Sequence, residues 1–102
     1  MTEIAKVVFD HYGARHQMLK LVEELNECAV EAIKAATDHA EDGHFDVGQL
    51  HDLASEIADV EFLFAQLRNI PGLADEIDTE REFKEWRQAE RLRGKYHEGT
   101  ND

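Results

Sequence analysis

Two short acidic pairs are the residues of this sequence best suited to chemistry, Glu24 with Glu27 and Glu56 with Asp59. Each pair has i, i+3 spacing, which places both carboxylates on one face of a helix about one turn apart. Like charges at that spacing repel each other and slightly weaken a helix. Acidic pairs are nevertheless common on solvated helices, so either pair alone would indicate only an exposed surface.

The two pairs match in position if their helices fold back on each other as an antiparallel hairpin. Facing residues in a hairpin have position numbers with a constant total, which is 83 for Glu24 with Asp59. The total is also 83 for Glu27 with Glu56, and its centre falls at Glu41-Asp42, in a polar segment. Four carboxylates at one level cannot all stay ionised without a cation, and hard oxygen ligands favour Mg²⁺ or Mn²⁺ over zinc. The spacing therefore predicts a divalent-metal site.

The elements that must position these carboxylates are helices, because apolar residues recur at helical spacing almost throughout the chain. Gly13 separates the first two helices. Asp46 followed by Gln49 is a variant of the capping box at the start of the third, and Pro71-Gly72 ends it. The predicted helices cover residues 3–11, 14–37, 47–70 and 73–96, with a loop over 38–46. We therefore expect an all-α fold, an antiparallel helical bundle that forms one domain over residues 1–102.

The third predicted helix is apolar on every side of its axis, in the segment IADVEFLFAQL. Such a helix is normally enclosed on every side, which a chain of 102 residues can hardly achieve alone. We therefore expect a homodimer or homotetramer, with Phe62, Leu63 and Leu67 at or near the subunit contact. On the second helix, the predicted apolar stripe comprises Met18, Val22, Leu25, Ala29, Ala32 and Ala36.

The composition predicts a soluble, cytoplasmic chain with neither a membrane nor a nucleic-acid polymer as partner. No apolar run approaches the roughly 20 residues that span a bilayer, and the N-terminal residues do not resemble a signal peptide. The single cysteine, Cys28, cannot form an internal disulfide, which favours a reducing compartment. A net charge of −12 argues against a nucleic-acid backbone, because basic patches supply most of that affinity.

Other metal sites match the sequence less well. The segment DHAEDGHFDVGQ has Gly43 where an EF-hand loop needs glycine, but Ala40 and Gln49 stand at ligand positions. A di-iron bundle needs Glu-x-x-His on two helices, and the only match, Glu41 with His44, falls in the predicted loop. The remaining histidines and the cysteine lack the spacing of a zinc site.

Specific motifs accompany the acidic pairs. Glu23-Glu24-Leu25-Asn26-Glu27 resembles the EExxE motif of the all-α nucleoside triphosphate pyrophosphohydrolases, the MazG-like superfamily, and Glu56-Ile57-Ala58-Asp59 resembles their ExxD motif. The resemblance begins near Tyr12-Gly13 and reaches the basic stretch Lys84-Glu85-Trp86-Arg87-Gln88, so it covers most of the chain in order. It implies a MazG-like bundle and Mg²⁺-dependent hydrolysis of a (d)NTP to a monophosphate and pyrophosphate, as in nucleotide-pool house-cleaning.

The resemblance also implies roles for individual residues. The metal ligands of the superfamily correspond to Glu24, Glu27, Glu56 and Asp59. Glu23 is the expected catalytic residue, which would orient or deprotonate the attacking water. The expected substrate-binding residues are Gln17, Lys84, Arg87 and Arg91. Glu31 departs from the superfamily, which often has an apolar or neutral residue there, and it is either an outer ligand or a surface residue.

Two alternatives to this activity stay open. Phosphoribosyl-ATP pyrophosphohydrolase is a relative with the same bundle and metal chemistry, so the motifs do not separate the two substrates. A non-catalytic helical oligomer that binds a nucleotide or a protein is an alternative of another class. The complete set of acidic ligands argues against it, because a degenerate member should lose its ligands first.

Overall fold

The computed structural model describes residues 2–39 and 43–101, and these residues contain four α-helices and no strand. In chain order the helices are α1 (Thr2–Tyr12), α2 (Ala14–Thr37), α3 (Val47–Leu67) and α4 (Leu73–Asn101). The prediction of an all-α chain is therefore confirmed for the described residues. The predicted centre of the hairpin, Glu41-Asp42, lies outside them.

The chain divides into two compact units, Met1–Ile70 and Pro71–Asp102. In the first unit α1, α2 and α3 pack against one another, and the contact between α2 and α3 is the most extensive. The second unit contains α4, a continuous helix that extends past its predicted end at residue 96. The single domain over residues 1–102 stays a prediction.

A glycine separates α1 from α2, as the sequence predicts. Gly13 has a φ of 89°, in the left-handed region that side chains with a Cβ rarely adopt. Its N–H donates to the Phe9 carbonyl at 2.8 Å, and its own carbonyl accepts from the N–H of Gln17 at 3.1 Å. Gly13 therefore closes the last turn of α1 and opens the first turn of α2.

The start of α3 is fixed by two polar contacts. Oδ2 of Asp46 accepts a hydrogen bond from the backbone N–H of Gln49 at 3.1 Å, which confirms the predicted N-cap. The side chain of Gln49 donates in turn to Oδ2 of Asp38 at 2.8 Å. Because Asp38 directly follows α2, this bond joins the end of one helix to the beginning of the next.

The end of α3 comes three residues earlier than predicted, at Leu67 instead of residue 70. The N–H groups of Asn69 and Ile70 donate to the carbonyls of Gln66 and Leu67, both at 3.0 Å. These are i→i+3 bonds, so the chain tightens into turns before it reaches Pro71. The proline explains the change, because the residue before a proline is disfavoured in the α conformation.

The face of α2 that is buried in the first unit is not its most apolar one. Its buried and half-buried residues recur at alternating spacings of three and four: Ala14, Gln17, Leu21, Glu24, Cys28, Glu31 and Ala35. The predicted stripe is exposed instead, with Met18, Val22 and Leu25 between 43 and 55 % accessible. The reason is that α2 carries two such stripes about 100° apart, one polar and one apolar, and hydrophobic spacing selects only the apolar one.

The face of α3 that opposes α2 follows the same spacing, with Gln49, Leu53, Glu56, Val60, Leu63 and Leu67 buried or half-buried. Leu63 and Leu67 are 4 and 7 % exposed within this single chain. Burial within one chain does not test a place at or near a subunit contact, so that role for Phe62, Leu63 and Leu67 stays a prediction. The large apolar residues of α3 that stay exposed are Val47, Leu50, Ile57 and Phe64. We call the two opposed faces the interhelical seam.

A buried pair of amides confirms the predicted register of the seam. Nε2 of Gln17 donates to Oε1 of Gln66 at 2.7 Å, and both residues are buried. Their position numbers total 83, the total predicted from the acidic pairs. Oε1 of Gln17 also lies 2.6 Å from Nδ1 of His16, so both ends of this amide are engaged.

The amide pair predicts a specific pattern of stability. Gln17→Leu is expected to destabilise the protein by about 1–3 kcal/mol, because Gln66 keeps a buried oxygen without a donor. Gln17→Leu combined with Gln66→Leu should cost less than the two single changes added together, since no orphaned amide remains. Urea unfolding, monitored by circular dichroism, measures the free energy of unfolding of each variant. Gln88→Leu, at an exposed position, is the control. Strictly additive losses would show that the two amides are not coupled.

Candidate metal centre

Three carboxylates meet across the interhelical seam. Glu24, Glu27 and Glu56 each offer one oxygen, and these oxygens lie within 4.8 Å of one another. Glu24 and Glu27 come from successive turns of α2, and Glu56 comes from α3. Glu24 is only 8 % exposed, Glu56 is half-buried and Glu27 is exposed. We call these three residues the acidic cluster.

Asp59, the predicted fourth ligand, lies outside this cluster of three. It stands one turn after Glu56 on α3 and is exposed. Its charge nevertheless raises the pKa of Glu56, so the two carboxylates are within electrostatic range. The structure therefore brings together three of the four predicted ligands and places the fourth beside them.

Two carboxylate oxygens of the acidic cluster are buried and accept no hydrogen bond from the described residues. Oε2 of Glu24 and Oε2 of Glu56 have no hydrogen-bond partner among the described residues. A carboxylate oxygen that has lost its water without gaining a donor is energetically costly. A divalent cation held by the acidic cluster would offset this cost, and a set of donors made entirely of oxygen suits Mg²⁺ or Mn²⁺. The residues present therefore fit the predicted metal.

The electrostatics of the seam are unfavourable to negative charge. Burial is the main cause that raises the pKa of the Glu56 carboxyl above its ordinary value. The like charges of its neighbours raise that pKa further, in the order Glu27, Asp59, Glu24 and Glu31. The ionised form of Glu56 is thus destabilised in the folded chain as it stands, and a nearby cation would remove that penalty.

Lys20 also belongs to this site; it lies in the stretch that resembles the superfamily, but the sequence predicts no role for it. Its Nζ lies 3.4 Å from Oε1 of Glu24 and 3.4 Å from Oε2 of Glu23. The hydrogen bond to Glu24, followed by that to Glu23, raises the pKa of Lys20. Its position four residues before Glu24 is the signal that could have identified it, because i, i+4 side chains are neighbours on a helix.

The predicted catalytic residue lies at the outer edge of this site. The side chain of Glu23 is 68 % exposed, and its ion pair with Lys20 connects it to the acidic cluster. Glu23 and Lys20 line a groove of about 510 Å³ together with Tyr12, His16 and Leu19. The rings of Tyr12 and His16 stack in it, with centroids 4.9 Å apart. Glu23 is the acidic residue that lines this groove, and the three carboxylates of the acidic cluster do not line it.

The predicted substrate-binding residues are dispersed. Gln17 is 4 % exposed and does not line the groove, because its amide is bonded to Gln66. Lys84, Arg87 and Arg91 are exposed on α4, in the second unit. Each of the first two has a local neighbour: Lys84 lies 4.0 Å from Glu80, and the Arg87 guanidinium lies 5.6 Å from the centre of the Phe83 ring. Substrate binding by these four residues stays a prediction.

Comparison of the chain with protein-family models, curated proteins and solved structures found no match. In the described part of the chain, no helix has both the length and the hydrophobicity needed to cross a bilayer. The acidic cluster is therefore the feature from which a function is inferred.

The raised pKa of Glu56 predicts how the metal-free protein responds to pH. Since a raised carboxyl pKa penalises the folded state once the group is charged, Glu56→Gln should raise the Tm near pH 7 in EDTA. This gain in Tm should shrink as the pH falls through the pKa that Glu56 has in the folded chain. It should vanish below the ordinary pKa of a glutamate carboxyl, about 4.3. Thermal unfolding across this pH range tests it.

Glu61→Gln is the matched control for this experiment, because Glu61 lies on the same helix and is exposed. Its Tm should follow that of the unchanged protein at every pH. An equal gain in both variants would indicate a general effect of net charge instead of a local penalty at Glu56.

Proposed function

We propose that this protein is a Mg²⁺-dependent nucleoside triphosphate pyrophosphohydrolase of the MazG-like superfamily, which converts a (d)NTP to a (d)NMP and pyrophosphate. The observation that supports the proposal most is the meeting of Glu24, Glu27 and Glu56 across the seam. Two of their buried oxygens lack a partner among the described residues, as expected of ligands that hold a cation. The same residues stand at the acidic positions of the EExxE and ExxD motifs.

In this proposal Glu24, Glu27 and Glu56 hold the metal, with Asp59 as the fourth ligand. When bound, Mg²⁺ or Mn²⁺ neutralises phosphate charge and lowers the pKa of water. Glu23 is the proposed general base, because its exposed carboxylate adjoins the cluster at the wall of the groove. It would accept the proton of the water that attacks the α-phosphorus.

The basic side chains of α4 are proposed to bind the leaving group. Lys84, Arg87 and Arg91 are exposed cations, and ammonium and guanidinium groups form strong charge-assisted hydrogen bonds with phosphate oxygens. Their charge would stabilise the negative charge that develops on pyrophosphate as the bond to the α-phosphorus breaks. Gln17 is proposed to act indirectly, since its amide is already bonded within the seam.

Removing a ligand should abolish turnover but not folding. Glu24→Gln, Glu27→Gln and Glu56→Gln are each expected to lower kcat by more than the roughly 10–100-fold typical of residues that only orient ligands. Each variant keeps the size and polarity of the side chain, and Glu61→Gln on α3 is the control. Steady-state kinetics with Mg²⁺ measure kcat, and circular dichroism shows whether each variant is folded. Near-normal activity in two of the three variants would rule out the acidic cluster as the metal centre.

The products distinguish attack at the α-phosphorus from attack at the γ-phosphorus. A panel of NTPs, dNTPs and phosphoribosyl-ATP with Mg²⁺ or Mn²⁺ should release pyrophosphate and a monophosphate in equal amounts. In ¹⁸O-labelled water the label should enter the monophosphate, because the attacking water bonds to the α-phosphorus. Orthophosphate as the first product would contradict the proposal, and turnover of phosphoribosyl-ATP alone would assign the activity to that relative.

The proposal includes a homodimer or homotetramer in the cytoplasm. The buried apolar residues of the described chain are few and partly small: Ala5, Ala35, Val60, Leu63 and Leu67. Both seam helices expose apolar residues instead, among them Met18, Val22 and Leu25 on α2 and Leu50, Ile57 and Phe64 on α3. So small a core stabilises a chain of this length weakly, and association would bury the exposed stripes.

A charge on an exposed stripe should dissociate the oligomer. Met18→Glu and Phe64→Glu are expected to shift the protein to monomer, since each residue is 46 % exposed in the single chain and a buried carboxylate is costly. His51→Glu, at an exposed polar position of α3, is the matched control and should leave the assembly unchanged. Sedimentation velocity at micromolar concentration measures the result. A stable monomer of the unchanged protein would refute the proposed oligomer.

A further inference from the structure

The ammonium of Lys20 contacts a carboxylate, that of Glu24, which would also contact a cation bound to the acidic cluster. Its Nζ lies 3.4 Å from Oε1 of Glu24. The other oxygen of that carboxylate, Oε2, is buried and has no hydrogen-bond partner among the described residues. Glu24 is 8 % exposed and belongs to the acidic cluster. One buried carboxylate therefore connects a lysine of the chain to the centre that would hold the metal.

We propose that Lys20 is a built-in counter-cation of the acidic cluster: its ammonium neutralises Glu24 in the metal-free protein and is displaced when a divalent cation binds. The inference rests on the proposed function only in that the acidic cluster binds such a cation. It assigns Lys20 an effect on metal affinity that an ordinary surface ion pair does not have.

The charges around Glu24 explain why displacement is expected. A divalent cation and an ammonium on the same carboxylate repel each other, and burial of Glu24 limits the screening of that repulsion by solvent. Of the two cations, the ammonium is the one that can leave, because the Lys20 side chain is 47 % exposed. A cation held between three carboxylates has no comparable alternative position.

Glu23 makes the displacement easy. Its Oε2 also lies 3.4 Å from Nζ of Lys20, and its side chain is 68 % exposed and outside the acidic cluster. The ammonium can therefore give up Glu24 and keep Glu23 as its partner. The movement is confined to one flexible side chain at the edge of the groove, so it requires no change in α2.

Two effects of opposite sign follow from this arrangement. Without metal, Lys20 offsets part of the repulsion among the carboxylates and so stabilises the fold. With metal, the same ammonium competes for Glu24 and so weakens binding. A lysine that only supported the helix would affect stability alone, and a lysine that helped to assemble the metal centre would strengthen metal binding.

Lys34 provides a matched control. It lies on the same helix, and its Nζ is 3.4 Å from Oε1 of Glu31, a carboxylate that raises the pKa of Glu56 but lies outside the acidic cluster. Lys20→Gln and Lys34→Gln each remove one positive charge from α2. A general effect of net charge on metal binding would therefore appear equally in both variants.

The experiment measures Mn²⁺ binding to the metal-free protein by isothermal titration calorimetry and by electron paramagnetic resonance at low ionic strength. Lys20→Gln should tighten the Kd by about three- to tenfold, the range expected when a partly buried ion pair is removed. Lys34→Gln should change it by less than about twofold, since its partner Glu31 lies outside the acidic cluster. Lys20→Arg, which keeps the charge, should retain the affinity of the unchanged protein. In EDTA, Lys20→Gln should also lower the Tm.

An unchanged or weaker Kd in Lys20→Gln, while the unchanged protein binds Mn²⁺, would overturn the role of Lys20 and leave the metal centre in place. An equal gain in Lys20→Gln and Lys34→Gln would overturn it as well, because it would show a general charge effect. Failure of the unchanged protein to bind Mn²⁺ would overturn both this inference and the proposed function.

Discussion

Negative charge at the contact between two packed helices is the constraint on which the rest of this structure depends. Two members of the acidic cluster, Glu24 and Glu56, lie in the interhelical seam, where a globular protein normally places apolar side chains. Burial and four neighbouring carboxylates both raise the pKa of Glu56, so the seam is costly at neutral pH. A fold that tolerates this cost must hold the two helices together by other interactions, and it must derive some advantage from keeping the carboxylates there.

The other interactions lie at the two ends of the seam. Near one end, the buried amides of Gln17 and Gln66 pair at 2.7 Å, which fixes the register because a shift of one helix along the other would break this buried hydrogen bond. Near the other end, Asp46 caps α3 and Gln49 bonds to Asp38. Val60 and Leu63 are the buried apolar residues of α3 between these points. The carboxylates are thus positioned by contacts that do not involve them.

The sequence predicts the parts of this arrangement that depend on local chemistry. Gly13 and Asp46 mark helix ends through backbone conformation and capping, which a short segment determines by itself, and both positions are confirmed. The register was also accessible, because matched i, i+3 pairs constrain an antiparallel hairpin. The buried face of α2 was not, since Met18 and its apolar neighbours form the more hydrophobic stripe and yet lie exposed. Helical periodicity identifies the most hydrophobic face of a helix. In α2, contacts between polar side chains determine instead which face is buried.

The proposed metal would give the acidic seam an advantage, because binding of a cation would be coupled to folding. A ligand that binds only the folded state stabilises it by mass action, and metal affinity of this kind contributes directly to folding. Oε2 of Glu24 and Oε2 of Glu56 come from different helices, so one ion bound to both would join α2 to α3 where their repulsion is greatest. The acidic cluster, where repulsion weakens the metal-free hairpin, would then become a strong link between α2 and α3. In the proposed arrangement, Lys20 would reduce this repulsion in the metal-free protein through its ion pair with Glu24.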